Sequence, residues 1–150
     1  MANERAPLAM LIELSRNKVE DAGRLLAELS TQRRQAQGQL DTLDGYRGDY
    51  AKRLQASTHD GVSASNYHNF RRFIATLDEA ISQQNKIIAQ IDTRLDAGRQ
   101  QWTAEKRRLS SYEALKARQD RQAQSREQRL EQRISDELSA GLHRRARRPH

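Results

Sequence analysis

An alternating three- and four-residue step of apolar side chains runs through most of this sequence and leaves few folds open. Between Leu8 and Leu54 it picks out Leu8, Ile12, Ser15, Val19, Ala22, Leu26, Leu29, Arg33, Ala36, Leu40, Leu43, Arg47, Tyr50 and Leu54. This is the seven-residue repeat by which helices pack along a shared seam. The same step resumes in Tyr67, Phe70, Ile74, Leu77, Ile81, Gln84, Ile88, Ile91, Leu95, Gly98, Trp102, Glu105, Leu109 and Tyr112. Between the two runs lies the dense cluster of helix-breaking residues, Ser57-Thr58-His59-Asp60-Gly61-Val62-Ser63. Asp60-Gly61 suits a tight turn, and Ser63 or Ser65 can cap a new helix. Two matched helices joined by a short turn predict an all-α fold, an antiparallel coiled-coil hairpin. In that register Leu54 faces Tyr67, Leu40 faces Ile81, Leu29 faces Ile91 and Leu8 faces Tyr112. The second helix outruns the first and overhangs at its C-terminal end. The expected segments are a flexible N-terminus over 1–7, a first coiled-coil helix over 8–56 and a turn over 57–63. A second coiled-coil helix over 64–113, a helical overhang over 114–140 and a disordered basic tail over 141–150 complete the chain.

Composition agrees with a narrow seam rather than a globular core. Only 35% of the 150 residues are hydrophobic and 31% are charged, too little apolar material to enclose a compact interior of that length. Pro7 and Pro149 are the only prolines, so strong helix formers run nearly unbroken between the ends.

Arg33, Arg47, Gln84 and Glu105 interrupt the seam. Long side chains at such positions are expected to reach out from the seam edge while specifying register. Gly98 would cost about 1 kcal/mol in an exposed helix interior. Opposite Ala22 it is expected to make room for Trp102, the only tryptophan.

The two sides of the seam differ. One flank carries Gly23, Ser30, Gln37, Asp44 and Ala51 with Arg71, Asp78, Asn85, Asp92 and Arg99, a polar mixture suited to water. The other carries Leu25, Gln32, Gln39 and Tyr46 with Phe73, Ala80 and Ile87, and it makes Tyr46 and Phe73 neighbours. That aromatic-centred flank reads either as a partner-binding patch or as a simple widening of the seam; a homodimer would use the same surface.

Beyond Tyr112 no partner helix remains. Ala117 and Ala123 are the only apolar residues between Lys116 and Arg129, after which Leu130, Ile134 and Leu138 form a short stripe. Residues 115–150 hold 10 Lys/Arg against 5 Asp/Glu, which concentrates the net charge of +7 in this part of the chain. A solvated helix, a protein-docking segment, and a nucleic-acid or acidic-membrane contact are all compatible with that pattern.

Chemistry of the catalytic kind is not expected. The absence of cysteine removes disulfides, thiolates and Cys-type metal sites, and fits a reducing compartment. His59, His68, His143 and His150 have no metal-ligand spacing. Gly38, Gly45 and Gly48 are scattered along a helix rather than gathered into a phosphate loop. No signal peptide or membrane span is expected. The reading is a cytoplasmic protein without enzymatic activity, catalytic residues, cofactor or metal.

Several ordered pieces resemble one family. Val19-Glu20-Asp21-Ala22-Gly23-Arg24-Leu25-Leu26, then Gln39-Leu40 and Leu43 leading to Tyr46 and Tyr50, look like the first helix of the flagellar export protein family FliJ. Phe73-Ile74-Ala75-Thr76-Leu77-Asp78-Glu79-Ala80-Ile81 with Gln84, then Trp102 and Arg108-Leu109, are similar to its second helix. Arg129-Leu130-Glu131-Gln132-Arg133 with Asp136-Glu137 resembles its C-terminal signature.

The resemblance implies a stalk-like coiled coil of the flagellar type III export apparatus. Such a protein engages the hexameric export ATPase, promotes its assembly and activity, and contacts the export gate membrane protein and export chaperones. It would be cytoplasmic and peripherally associated with the inner-membrane apparatus, with no small-molecule ligand and no specific nucleic acid. The gate-facing residues of the family match Gln39, Leu43, Tyr46, Tyr50, Phe73, Leu77, Ala80 and Gln84. The ATPase ring is then expected at the open end of the hairpin, with Leu8, Leu11, Leu115, Arg129, Leu130, Arg133, Ile134, Asp136, Glu137 and Leu138. The alternative is a nucleic-acid-binding helical hairpin using the basic C-terminal tail.

Overall fold

The computed structural model describes residues 5–59, 61 and 63–147. Two helices account for nearly all of them: α1, Arg5–His59, and α2, Ala64–Ala146. They pack against each other as an antiparallel hairpin, and no strand occurs among the described residues.

The helix boundaries have local causes. Pro7 lies in the first turn of α1, where its missing N–H leaves no intrahelical bond unmade. At the reversal Gly61 takes φ +73°, a left-handed conformation that suits glycine. The Ser63 hydroxyl then accepts the Asn66 N–H at 3.4 Å, and the Ser63 carbonyl accepts the Tyr67 N–H at 3.1 Å, which caps α2. Asp60 and Val62 of the expected turn lie outside the described residues.

Both helices are longer than their sequence patterns suggested. Helix α1 begins at Arg5, inside the segment expected to be a flexible N-terminus, and ends at His59, inside the expected turn. Helix α2 continues to Ala146, through much of the segment expected to be a disordered tail. Gly141 does not end it, and His143, Arg144 and Arg145 occupy its last turn, where cations interact favourably with the helix dipole.

The described chain divides into two compact units. In the unit Glu20–Ala104, Leu29, Ala36 and Leu40 of α1 interlock with Ile88, Ile91 and Leu95 of α2, and Leu26 and Ile81 pack against them. Each Leu or Ile side chain so removed from water contributes about 1.5–3 kcal/mol before entropy is counted.

The interrupting residues divide into two kinds. Arg33 reaches out of the seam to Asp92 at 2.6 Å, and Arg47 does the same to Asp78. Gln84 instead stays in the seam, 9% exposed, and its amide nitrogen donates to the Ala36 carbonyl at 2.8 Å and to Gln39 Oε1 at 3.1 Å. An interior hydrogen-bond acceptor removes its need to reach solvent.

The space around Trp102 is arranged differently from the expectation. Gly23, not Gly98, is the glycine beside the indole: a Cβ there would lie 3.6 Å from Trp102 Nε1. Gly98 receives Leu26, whose Cδ2 would sit 3.0 Å from an added Cβ. Helical side chains lean toward their own N-terminus. In an antiparallel pair this carries each one off its nominal layer, Trp102 toward Gly23 and Leu26 toward Gly98.

In the unit of described residues from Met1–Val19 and Glu105–His150, Leu8, Ile12 and Ser15 of α1 are buried, as is Glu105 of α2. Leu109 and Tyr112 are half-buried. Glu105 is a further departure from the expected reach into solvent: it is 5% exposed, and the Arg108 guanidinium donates to it at 3.4 Å. Arg16 and Glu113 form an exposed pair at 3.7 Å.

Candidate partner-binding surfaces

Within Glu20–Ala104, the seam positions dictate which flanking residues can meet a partner. Tyr46 is 55% exposed and Phe73 44%, although both are large and apolar. Phe73 is held by Tyr50, whose ring centroid lies 4.4 Å away at 47°; Tyr50 also approaches Phe70 at 6.2 Å. The Arg53 guanidinium sits 5.3 Å from the Tyr50 centroid. Aromatic pairs of this kind add about 0.5–1.5 kcal/mol beyond buried area, so the exposed Phe73 face rests on a firm platform. Leu25 and Ile87 extend the exposed apolar flank.

The residues expected to face the export gate therefore occupy different depths. Gln39, Tyr46 and Phe73 are exposed; Leu43, Tyr50 and Ala80 are half-buried; Leu77 and Gln84 are buried. Beside Gln39 lies a shallow groove lined by Gln35, Gly38, Gln39, Thr42, Leu43 and Gln84. The opposite flank carries the Arg33–Asp92 and Arg47–Asp78 pairs. The adjacent Asp78, chiefly by its hydrogen bond and then by its charge, raises the Arg47 pKa above the ordinary arginine value.

In the other unit Leu8 is buried, so it supports the surface without presenting itself. Leu11, Leu115, Leu130, Ile134 and Leu138 are exposed apolar residues, and Arg129, Arg133, Asp136 and Glu137 are exposed charged ones. Leu130 lies 15 residues beyond Leu115, about 22 Å along the axis of α2 at 1.5 Å per residue. The two do not form one patch.

Met10, Leu14 and Leu142 are exposed apolar residues that the sequence reading missed. Leu142 follows Leu138 by four residues, a signal masked by the reading of Gly141 as a helix end. Leu14 and Leu11 line a small groove with Ser15, Lys18, Arg108 and Tyr112. Among the described residues no cluster of His, Asp and Glu could hold a metal ion, and no helix is long and apolar enough to cross a membrane.

A seam with one ion-paired flank and one aromatic flank, followed by a bare helix, describes an interaction scaffold. The family model for the flagellar FliJ protein matches residues 4–148. The chain belongs to the flagellar FliJ family. The flagellar FliJ protein of Escherichia coli strain K12 is 34% identical over 136 residues, covering 91% of this chain and 92% of the relative. Its counterpart from Salmonella typhi is 31% identical over the same shares of both chains. Among solved structures, a YscO homolog, CT670 from Chlamydia trachomatis, superposes with a TM-score of 0.51 at 15% identity, covering 99% of this chain and 96% of that one. That likeness concerns the fold. Membership of the FliJ family makes the chain a component of flagellar export and flagellum biogenesis.

Proposed function

We propose that this FliJ-family chain is a non-enzymatic coupling protein of the flagellar type III export apparatus with two working surfaces. The Tyr46–Phe73 flank contacts the export gate membrane protein. The exposed residues Leu11, Leu115, Arg129, Leu130, Arg133, Ile134, Asp136, Glu137 and Leu138, supported by Leu8, engage the export ATPase ring and promote its assembly and activity. Export chaperones use the same helical scaffold. The protein works in the cytoplasm and joins the membrane peripherally, through the apparatus.

The observation that carries this reading is the exposure of Phe73 and Tyr46 beside a stretch of seam in which Leu77 is buried and Leu43, Tyr50, Phe70 and Ile74 are half-buried. Large side chains left in water beside a seam that two helices alone do not cover favour a protein contact. On α2, Leu130, Ile134, Leu138 and Leu142 are each about half or more exposed. Their four-residue step drifts about 40° per step around a 3.6-residue helix, which suits a partner surface that follows the helix around its axis. No Phe, Tyr or Trp lies among the arginines beyond Lys116, so the stacking that single-stranded nucleic acid uses has no platform there.

The test titrates the cognate export ATPase with the full chain and with a variant carrying Leu130→Gln, Ile134→Gln and Leu138→Gln, which keeps good helix formers. Stimulated hydrolysis by the wild-type chain, lost in the variant, is the expected result. Equal stimulation by both would remove the α2 stripe from the ATPase contact. No stimulation and no change in ring assembly by either would defeat the coupling role.

A further inference from the structure

Gln84 is a polar residue buried in the seam, and one of its two hydrogen bonds reaches outward to the docking flank. It is 9% exposed. Its amide nitrogen divides its two hydrogens between the Ala36 carbonyl, at 2.8 Å, and Gln39 Oε1, at 3.1 Å. An amide buried in a helix seam costs stability relative to a well-packed aliphatic residue of the same size. The Ala36 carbonyl belongs to the interior of α1, where the helix already supplies a donor. The bond that does something new is therefore the one to Gln39.

That bond fixes the sense of the Gln39 amide. With Oε1 occupied by the Gln84 donor, the Gln39 side chain offers its Nε2 hydrogens to the outside. Gln39 is exposed beside the groove formed with Gln35, Gly38, Thr42, Leu43 and Gln84. A Cβ added at Gly38 would meet nothing within 4 Å, so the groove floor is open there. The neighbouring Thr42 hydroxyl already donates to the Gly38 carbonyl at 3.0 Å. Gln39 and the exposed Gln35 are the side-chain amides left to meet a partner here, and of the two Gln39 is the one whose orientation Gln84 sets. Seven residues separate Gln39 from Tyr46, about 10 Å along α1.

We infer that Gln84 is a positioning residue: it orients Gln39 as a hydrogen-bond donor, so the flank recognises a polypeptide segment that places a carbonyl or carboxylate acceptor about 10 Å from an apolar side chain. The apolar side chain rests against Tyr46, beside Phe73, and the acceptor meets Gln39. This rests on the reading of the Tyr46–Phe73 flank as the gate-contacting surface. Gln84 itself also lines this groove but is only 9% exposed, and its part is to hold Gln39 rather than to supply the contact.

The experiment measures affinity of the full chain for the cytoplasmic domain of the cognate export gate protein. The variants are Gln39→Ala, Gln84→Met, the two combined, and Phe73→Ala, each checked for helix content and melting temperature. Methionine keeps the shape and helix propensity of Gln84 and removes its donor. Gln84→Met should weaken binding about three- to tenfold, matching Gln39→Ala, as the loss of one net hydrogen bond predicts. The double variant should be no weaker than either single one. In the free protein the side-chain amide resonances of Gln39 should shift in Gln84→Met, and its melting temperature should stay level or rise. Undiminished binding by Gln84→Met beside a weakened Gln39→Ala, or losses that add in the double variant, would overturn the positioning role. If Gln39→Ala and Gln84→Met both bind normally while Phe73→Ala is weakened, the surface stands and the inference fails. Normal binding by Phe73→Ala as well would bring down the surface reading, and this inference with it.

Discussion

The two flanks of the Glu20–Ala104 seam are built from the same helices and the same repeat, yet they are finished in opposite ways. On one, Arg33 and Arg47 reach across to Asp92 and Asp78, so each charge is answered within the chain. On the other, Tyr46, Phe73, Leu25 and Ile87 stay exposed with no covering helix. Two helices have only one shared seam, and a heptad that is apolar at three positions leaves one of them uncovered. The difference separates what holds the hairpin in register from what is available to something else.

The largest effect should come from breaking the seam on which both flanks depend. Ile88→Ala, at a buried position in the central cluster, should lower stability by about 2–4 kcal/mol, read by denaturant unfolding followed by circular dichroism. Next, Phe73→Ala should reduce binding to the export gate domain about thirtyfold, the scale of an interface hot spot, while the melting temperature changes little. A large loss of stability instead would make Phe73 part of the seam. Gly98→Ala should cost about 1 kcal/mol, because the new methyl group crowds Leu26 and outweighs the gain in helix propensity. A variant as stable as wild type would show that Leu26 yields freely. Smallest of all, Arg33→Gln should cost no more than about 1 kcal/mol, with a loss that shrinks as salt rises, because both partners of the pair are substantially exposed.

The pH response of the ion-paired flank has a definite sign. Arg47 has its pKa raised in the folded protein through Asp78, so on the alkaline side its contribution is undiminished up to the ordinary arginine value. It is lost only as pH rises through the still higher folded value. Helix content should therefore show no transition from this group on the alkaline side up to that limit. An Arg47-dependent loss near pH 9, abolished by Arg47→Gln, would contradict the assignment.

The seam was legible because its period is a direct consequence of helix geometry. Every predicted seam position except Arg47 is buried or half-buried. The fate of Gln84 and Glu105 was not legible, since whether a long polar side chain leaves a seam depends on which acceptors or donors lie within reach. The Gly23–Trp102 and Gly98–Leu26 contacts escaped for a related reason. Layer matching treats a side chain as projecting straight out, whereas its lean moves the contact to a neighbouring layer. The end of α2 was misjudged because Gly141 and the arginines were weighed as breakers, although arginine is a good helix former and favoured near a C-terminus. For the surfaces, the sequence identified the exposed aromatic flank but not the depth at which each of its members sits. Depth is a property of the packed pair rather than of the repeat.

The two ion pairs on the polar flank have the same spacing on both helices: Arg33 and Arg47 lie 14 residues apart, as do Asp78 and Asp92. A seven-residue repeat is ambiguous by nature, because sliding one helix by a heptad offers it another plausible apolar match. The polar flank is not ambiguous. A slide one way would set Arg33 against Arg99 and Arg47 against Asn85; a slide the other way would set Arg33 against Asn85 and Arg47 against Arg71. Each mistaken alignment loses both attractions and gains a repulsion, so this flank acts as a vernier scale that tells a folding hairpin which of its near-equivalent alignments is the right one.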